Sequence, residues 1–140
     1  MAHDDLQMTL EDKPLKATLD VIDNGLDVYN AQFSPGHFEE FVMALKLSSG
    51  EVKGGIHAIV WAEMLFIKWF WIDESYRRQG RGRALLEATE AEGRRRGCRA
   101  AWLDTFEFQA RPFYEKRGYK VFGTLDYPAG FKRFYLQKAL

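Results

Sequence analysis

A chain of 140 residues, of which 46% are hydrophobic and 15% aromatic, can bury one substantial core, which argues against disorder and predicts a single domain over residues 1–140. Twenty basic and twenty acidic residues cancel, so no net field directs the protein to nucleic acid or to an anionic membrane, and any anion must be bound locally. The one cysteine, Cys98, excludes an intramolecular disulfide and, with an N-terminus unlike a secretory signal, predicts a cytoplasmic location.

The N-terminal part of the chain is predicted to form a short strand followed by helices. Leu6 to Leu10 has the pattern of a short strand, and Pro14 stands near a helix start. The apolar residues that follow, up to Phe33, recur at irregular helical spacing. Because Asn24 and Gly25 interrupt this pattern, we expect two short helices.

Three strands are predicted over residues 37–72 as an antiparallel meander. Residues 48–51, with the sequence SSGE, supply the first turn, and residues 62–63 supply a tighter second one. The third strand, Leu65 to Ile72, carries aromatic residues on both faces, which is typical of a central strand covered on both sides. Its apolar run is broken by Lys68 and is too short to cross a bilayer, so no membrane association is expected.

A helix, a strand and a second helix are predicted next. From Gly80 to Arg96 the apolar residues have helical spacing, and the arginines before Gly97 are typical of a helix C-terminus. The positions assigned to the apolar face are Ala84, Leu85, Ala88 and Ala91, and the small alanines would let the helix lie close to the sheet. Residues 98–106 read as a strand, and Gln109 to Arg117 reads as a short helix that ends before Gly118.

The last two predicted strands, residues 119–127 and 131–140, form an antiparallel pair around a turn that contains Pro128 and Gly130. The whole order predicts a mixed α/β layer structure with a strand, helix, strand crossover in its middle.

The turn before the predicted long helix combines two glycines with several arginines, in the sequence RRQGRG over Arg77 to Gly82. The first turn of a helix has unpaired backbone amides and a partial positive charge, so it stabilises an anion that the backbone can approach closely. Glycines permit that approach, and arginines add charge-assisted hydrogen bonds to phosphate oxygens. This turn is therefore predicted to hold a diphosphate.

Two other nucleotide motifs do not fit this turn. A P-loop requires Gly-Lys-Ser/Thr, and a dinucleotide fingerprint requires a third glycine where Leu85 stands. The alternative to a diphosphate site is an ordinary tight turn that binds no ligand, followed by a solvated, arginine-rich helix face.

RRQGRG resembles the Arg/Gln-x-x-Gly-x-Gly/Ala motif of the GNAT superfamily of acetyl-CoA-dependent N-acetyltransferases, and ARPFYEKRGY, Ala110 to Tyr119, resembles a second segment of that superfamily. The order of the predicted elements is also similar over nearly the entire chain. The resemblance implies the GNAT fold, a mixed α/β (α+β) structure whose mostly antiparallel sheet has about six or seven strands, flanked by about four helices.

The resemblance also implies a site for acetyl-CoA as cosubstrate. The amides of residues 79–83 would hold the pyrophosphate, the strand end would align with the pantetheine arm, and an amide there, that of Ile72, would face the thioester oxygen. Family members often carry an asparagine where Glu107 stands, and Gln109 could replace it. The residues implied for the cofactor are Phe70, Trp71, Ile72, Arg77, Arg78, Gln79, Gly80, Arg81, Gly82, Arg83 and Gln109.

Acetyl transfer by direct attack of an amine in a ternary complex requires an acid for the leaving thiolate, and Tyr114 is the candidate because a tyrosine stays protonated at neutral pH. The base is a carboxylate or a water chain. Asp73 and Asp104 are favoured because each follows or ends a predicted strand at the cleft, while Glu63 and Glu107 are further candidates. A capping or turn role is the alternative for each carboxylate.

The remaining expectations concern metal binding, Cys98, the acceptor, the oligomeric state and the alternative function. His3, His37 and His57 lack metal-ligand spacing, so no metal is expected, and Cys98 is expected to be a small buried residue. Aromatic residues and scattered carboxylates favour a small amine or an aminoacyl group as the acceptor. A homodimer is expected to cover the sheet edges, and a non-catalytic acyl-CoA sensor of the same fold is the alternative function.

Overall fold

The computed structural model of the chain describes residues 5–34 and 38–140. Contacts within the chain divide it into two units, Met1–Gly36 and His37–Leu140. The single domain expected over residues 1–140 therefore stays a prediction.

Among its described residues, 5–34, the N-terminal unit contains one α-helix, α1, over Lys16–Asn30. The carboxylate of Glu11 accepts hydrogen bonds from the Leu15 amide at 3.0 Å and from the Thr18 hydroxyl at 2.8 Å, which stabilises the start of the helix. The pKa of Glu11 is lowered by these two bonds, that from the Leu15 amide first.

Two predictions about this unit are wrong. Leu6 to Leu10 does not form a strand, because a lone segment without a partner strand has no ladder to join. The helix also continues through Asn24 and Gly25 instead of dividing there. Gly25 has no positive φ angle, and a glycine in an uninterrupted helix costs only about 1 kcal/mol, which does not end it.

Six strands form one sheet in the C-terminal unit, in the order β1-β2-β3-β4-β6-β5. All neighbouring strands are antiparallel except β3 and β4, which are parallel. The strands are β1 Glu39–Lys46, β2 Val52–Trp61, β3 Met64–Ile72, β4 Ala100–Phe106, β5 Lys120–Asp126 and β6 Lys132–Ala139. The predicted meander and final strand pair are confirmed, as is the mixed, mostly antiparallel sheet of about six or seven strands.

The helices of this unit are α2, Arg81–Arg95, and the shorter α3, Arg111–Glu115, with a 3₁₀ turn over Glu74–Tyr76. Positive φ angles at Gly97 (89°) and Gly118 (95°) end the two helices as predicted. The described residues hold three α-helices and not the expected four or so, because the N-terminal segment folds as one helix.

One face of the sheet forms the core. Its buried residues come from the inward positions of the strands, from both helices and from the residue just before β5, and they include Ile56, Leu65, Leu103, Leu136, Leu86 and Tyr119. The face of α2 that meets this core differs from the prediction. Leu85 is buried as expected, but Ala84, Ala88 and Ala91 are exposed.

The buried positions of α2 include polar residues, because each has a hydrogen-bond partner, within the helix for Thr89 and distant in the sequence for Glu90. Thr89 donates its hydroxyl to the Leu85 carbonyl at 2.8 Å. Glu90 accepts hydrogen bonds from the Tyr119 hydroxyl at 2.7 Å and from the Lys138 ammonium at 2.9 Å. Gly93, not an alanine, brings the helix close to the sheet, since a Cβ there would lie 2.9 Å from Leu65 Cδ2.

The other face of the sheet is open at the end of β3, so the prediction that this strand is covered on both sides is wrong there. Trp69 is 65% exposed and Trp71 is 54% exposed. Nearer the start of β3, Phe66 stacks on Trp102 of β4 with ring centroids 4.0 Å apart, and both rings are half-buried.

Candidate active site

The two central parallel strands separate halfway along their length. Met64–Ile67 of β3 pairs with Ala100–Leu103 of β4, and beyond these residues the two strands no longer pair with each other. Each remains paired with its outer neighbour, as in the pair of Ile72 with Gly54 and the pair of Phe106 with Arg133. The sheet therefore contains a V-shaped gap.

The gap begins at an irregularity in β3. Ile67 lies opposite Ala58 and Trp69 lies opposite His57, so Lys68 is an extra residue in β3. Such a bulge bends the bulged strand and increases its twist. The bulge thus coincides with the point at which β3 leaves β4.

The helix α2 begins beside the end of β3 with its backbone amides uncovered. Gly80 occupies the N-cap position in the left-handed conformation, at φ 79°, and no side chain caps the helix. The first intrahelical bond of this turn runs from the Ala84 amide to the Gly80 carbonyl at 3.1 Å. The amides of Arg81, Gly82 and Arg83 precede it and lack i−4 acceptors within the helix.

A cleft of about 450 Å³ joins this helix start to the gap in the sheet. The charged residues that line the cleft are all arginines, and no carboxylate lines it. The end of the cleft beside the helix start therefore favours an anion. The opposite end is apolar and aromatic. The residues that line the cleft are Phe70, Trp71, Ile72, Arg77, Arg78, Gly80, Gly82, Arg83, Ala110, Phe113, Tyr114 and Arg117.

Two arginines beside this cleft carry buried nitrogens with no hydrogen-bond partner within the described part of the chain, namely Arg81 Nη1 and Arg117 Nε. The Arg81 guanidinium lies over the Tyr76 ring at 5.5 Å. Arg117 lies over the Phe113 ring at 4.1 Å and donates from Nη1 to the Phe113 carbonyl at 3.0 Å. Both arginines are half-buried, but a buried donor nitrogen without a partner is costly, and an anionic ligand would satisfy it.

Arg77 and Arg78 have different local roles. Arg77 donates from Nε to the Ile72 carbonyl at 2.7 Å, which fixes its side chain across the end of β3. Arg78 has a positive φ of 62°, an unusual conformation for a non-glycine residue.

Tyr114 lies at the apolar end of the cleft and is 8% exposed. Its ring is surrounded by Phe70, Phe113 and Tyr119, with centroids 5.2 to 6.2 Å away. Burial, and secondarily the charge of Asp104, raise the pKa of Tyr114 to about 12. The hydroxyl is therefore firmly protonated at neutral pH.

The two favoured carboxylates have different surroundings. Asp73 accepts a hydrogen bond from the Ser75 amide at 2.9 Å and caps the 3₁₀ turn, and this bond lowers the pKa of Asp73. Asp104 lies on β4 beside the gap, and both of its contacts with Arg133, at 2.7 and 3.0 Å, use the same carboxylate oxygen. Asp104 is the carboxylate whose charge reaches Tyr114.

The other carboxylate candidates and Gln109 make local contacts. Glu63 pairs with Arg99 at 3.5 Å, and Glu107 accepts from the Lys132 amide at 3.2 Å. The carbonyl oxygen of Gln109 accepts from the Phe106 amide at 2.7 Å and closes the turn before α3. This oxygen is thus committed to the turn.

Sequence reasoning missed Arg117, Phe113 and Ala110 as lining residues of the cleft. Arg117 follows Tyr114 by three residues, which on a helical turn places the two side chains on one face, and this spacing was available as a signal. Gln79, one of the residues predicted to contact the cofactor, is exposed and does not line the cleft.

The histidine and cysteine candidates form no metal site among the described residues. No group of three or more His, Cys, Asp or Glu residues in the described ranges 5–34 and 38–140 could hold a metal ion. His3 and His37 lie outside those ranges. Cys98 is buried, at 5% exposure, and burial raises the pKa of its thiol. No helix of the described residues is long and apolar enough to span a membrane.

Comparisons with known proteins agree with this geometry. The model of the acetyltransferase (GNAT) family matches residues 10–119. The blasticidin-S acetyltransferase of Streptomyces morookaense is 34% identical over 93 residues, which cover 65% of this chain and 68% of that protein. An acetyltransferase from Bacillus cereus superimposes with a TM-score of 0.82 at 31% identity, covering 95% of this chain and 99% of the other.

A more distant neighbour has a bound coenzyme. The PaiA N-acetyltransferase of Thermoplasma acidophilum, whose structure is a complex with coenzyme A, shares the fold with a TM-score of 0.57 at 15% identity, covering 91% of this chain and 81% of that one.

Proposed function

The chain belongs to the GNAT acetyltransferase family, and on that premise we propose that it transfers the acetyl group of acetyl-CoA to a primary amine of a small molecule or peptide. The observation that carries the proposal is the cleft. Its arginine-lined end and uncovered helix amides suit a diphosphate, and its apolar end, with a protonated tyrosine, opens onto the gap between β3 and β4.

The amides of residues 81–83 would bind the pyrophosphate of acetyl-CoA, with Arg78, Arg83 and Arg117 adding charge-assisted hydrogen bonds. The PaiA N-acetyltransferase, which shares the fold, is a complex with coenzyme A and is consistent with a ligand of this class. A cleft of about 450 Å³ is large enough to take the pantetheine arm and the acetyl group below the diphosphate.

The end of β3 would bind the pantetheine arm through its backbone. The Asp73 amide donates to the Lys53 carbonyl at 2.8 Å and so points to β2. Because successive amides of a strand alternate between its two sides, those of Ile72 and Phe70 point away from β2, into the gap. Either amide is suited to hold the thioester oxygen as it gains negative charge.

The chemical step is direct attack. The lone pair of the neutral amine forms the C–N bond at the thioester carbon, the C–S bond breaks, and the thiolate takes the proton of the Tyr114 hydroxyl. The attacking nitrogen releases its own proton to a water chain or to a carboxylate at the gap, for which Asp104 is better placed than the capping Asp73.

The test is calorimetric titration with acetyl-CoA, followed by free-thiol detection against a panel of primary amines. Arg78→Gln is expected to weaken acetyl-CoA binding about tenfold by removing one charge-assisted contact. Arg95→Gln, an exposed arginine at the far end of α2, is the matched control and should bind acetyl-CoA as the wild type does.

Binding of acetyl-CoA together with amine-dependent thiol release would support the proposal. Binding without thiol release from any amine would contradict it and favour an acyl-CoA sensor. Absence of acetyl-CoA binding would overturn both functions.

A further inference from the structure

A second cavity, of about 610 Å³, lies on the open face of the sheet. Phe70 and Ile72 point to the core side, where the cleft lies, and Trp69 and Trp71 alternate with them and point to the other side. Trp71 nevertheless lines both cavities. We call the second cavity the tryptophan groove and define it by Glu40, Val42, Gly55, His57, Trp69 and Trp71.

The strand register explains why a groove forms there. Gly55 lies between Ala44 of β1 and Trp71 of β3, so small residues adjoin the large indole. A Cβ at Gly55 would lie 2.9 Å from the Met43 carbonyl oxygen, so this position cannot carry a side chain unless β1 moves. The trough beside Trp71 is thus built into the pairing of the strands.

Among the described residues, the groove is lined by one carboxylate, and the Lys68 ammonium lies beside it over Trp69. Among the described residues that line it, Glu40 is the one acidic residue, and no lysine or arginine is present. One oxygen of Glu40, Oε2, contacts His57 Nε2 at 2.8 Å, and its side chain is 63% exposed. A carboxylate held beside exposed indoles favours a cationic ligand.

The two indoles differ in what already covers them. The Lys68 ammonium lies 4.8 Å from the centre of the Trp69 ring, which shows that this ring accepts a cation. No cation lies over Trp71 within the described part of the chain. Trp71 is therefore the indole available to a ligand, and a planar cation can stack on it.

The distance from Glu40 to the gap sets the size of the ligand. Glu40 stands on β1 opposite Ile59 of β2, so it lies two strand spacings, about 10 Å, to the side of β3. It is also displaced along the strands, because Phe70 and Ile72 at the gap pair with Ile56 and Gly54, three and five residues before Ile59. A single ammonium cannot pair with Glu40 and also reach a thioester in the gap. The acceptor must carry two groups, one cation to be anchored and one amine to react.

We propose that the tryptophan groove binds the acceptor of acetyl transfer, and that this acceptor is a primary amine carrying a second, planar cation of the guanidinium class. The guanidinium stacks on Trp71 and pairs with Glu40, while the amine crosses β3 to the gap. This assignment rests on the proposed function, because the groove supplies no acetyl donor of its own.

The test uses agmatine, which joins a primary amine to a guanidinium, in calorimetric titrations without acetyl-CoA. Guanidinobutyrate keeps the guanidinium and loses the amine, whereas hexylamine keeps the amine and loses the guanidinium. Agmatine and guanidinobutyrate are expected to bind, and hexylamine at least tenfold more weakly. Glu40→Gln and Trp71→Leu should each weaken agmatine binding at least tenfold, and Glu40→Gln should raise the KM for agmatine without lowering kcat.

Asp126→Asn and Phe122→Leu, exposed positions of β5, are the matched controls and should stay within twofold of the wild type. The proposal is overturned if agmatine fails to bind, if hexylamine binds equally well, or if Glu40→Gln and Trp71→Leu leave its affinity unchanged. Loss of acetyl-CoA binding alone would instead overturn the proposed function, since these titrations contain no acetyl-CoA.

Discussion

At the scale of single residues, the two glycines of the turn before α2 have separate roles. Gly80 has a φ of 79° and open space around it, so it is required for backbone conformation. Gly82 has no positive φ, and a Cβ there would make ordinary contacts with Phe113 and Ile72 at 3.5 to 3.7 Å. The backbone conformation therefore requires a glycine at Gly80, whereas the packing of the protein does not require one at Gly82.

Gly80→Ala is expected to lower the free energy of unfolding by about 1 kcal/mol, because an L-residue is strained in the left-handed region. Gly82→Ala should be neutral or slightly stabilising, since alanine favours the first helical turn. Urea denaturation of both variants measures the difference. Equal destabilisation by the two substitutions would contradict the assigned roles.

Tyr114→Phe is expected to reduce kcat about 100-fold while leaving the affinity for acetyl-CoA unchanged, because the hydroxyl is needed only when the thiolate leaves. Steady-state thiol release and calorimetric titration measure the two quantities. Tyr29→Phe, an exposed tyrosine of α1, is the matched control. Turnover at the wild-type rate in Tyr114→Phe would remove the acid role.

The pH dependence of turnover gives an independent prediction for the same residue. The pKa of Tyr114 is raised to about 12, so its proton is present throughout the neutral range and is lost only as the pH approaches that value. The kcat of the wild type should therefore show no loss attributable to Tyr114 below about pH 11. An alkaline loss with a pKa near 10 that disappears in Tyr114→Phe would disagree with this environment.

At the scale of elements, one buried carboxylate joins α2 to the end of the chain. Glu90 of α2 is 3% exposed and binds both Tyr119, just before β5, and Lys138 of β6. Burial and the Glu90 contact raise the pKa of Tyr119, in that order. The network positions the helix against a strand far from it in sequence.

Glu90→Ala is expected to lower the free energy of unfolding by about 3 kcal/mol, because it leaves the buried Tyr119 hydroxyl and the partly buried Lys138 ammonium unpaired. Glu87→Ala, one turn away in an exposed pair with Arg83, should change it by about 0.5 kcal/mol or less. Chemical denaturation measures both, and similar small effects would show that the network stabilises nothing.

At the scale of the whole molecule, the core belongs to one of the two units. Among the described residues, every buried apolar side chain lies between Ile56 and Leu136, and α1 buries none. The cleft and the tryptophan groove are likewise lined by residues of the second unit. Stability and the candidate site therefore reside in the same unit.

The fragment 37–140 is expected to unfold cooperatively and to bind acetyl-CoA, because it contains the buried core and the residues that line the cleft. Circular dichroism during thermal unfolding and calorimetric titration test the two properties, with the full chain as the reference. A fragment that lacks a cooperative transition would show that residues 1–36 are required for folding.

Locally encoded features could be predicted from sequence. The strand order along the chain follows from apolar runs between turn residues, and the helix ends follow from Gly97 and Gly118, whose conformations concern only neighbouring residues. The arginine and glycine turn was predictable because a helix start, its amides and its charges are contiguous in sequence. By contrast, the continuous α1 could not be distinguished from two helices, since one glycine is a weak interruption.

The sequence by itself determined the order of the elements in the second unit, the helix ends at Gly97 and Gly118, and the position of the glycine and arginine turn before α2. Only the tertiary structure decided three features, which are the gap between β3 and β4, the burial of Thr89 and Glu90 where alanines were expected to be buried, and the position of Arg117 in the same cleft as the turn before α2. The physical reason is the range of the interactions, because helix ends and turns depend on adjacent residues, whereas burial of a charge depends on partners that only folding brings near.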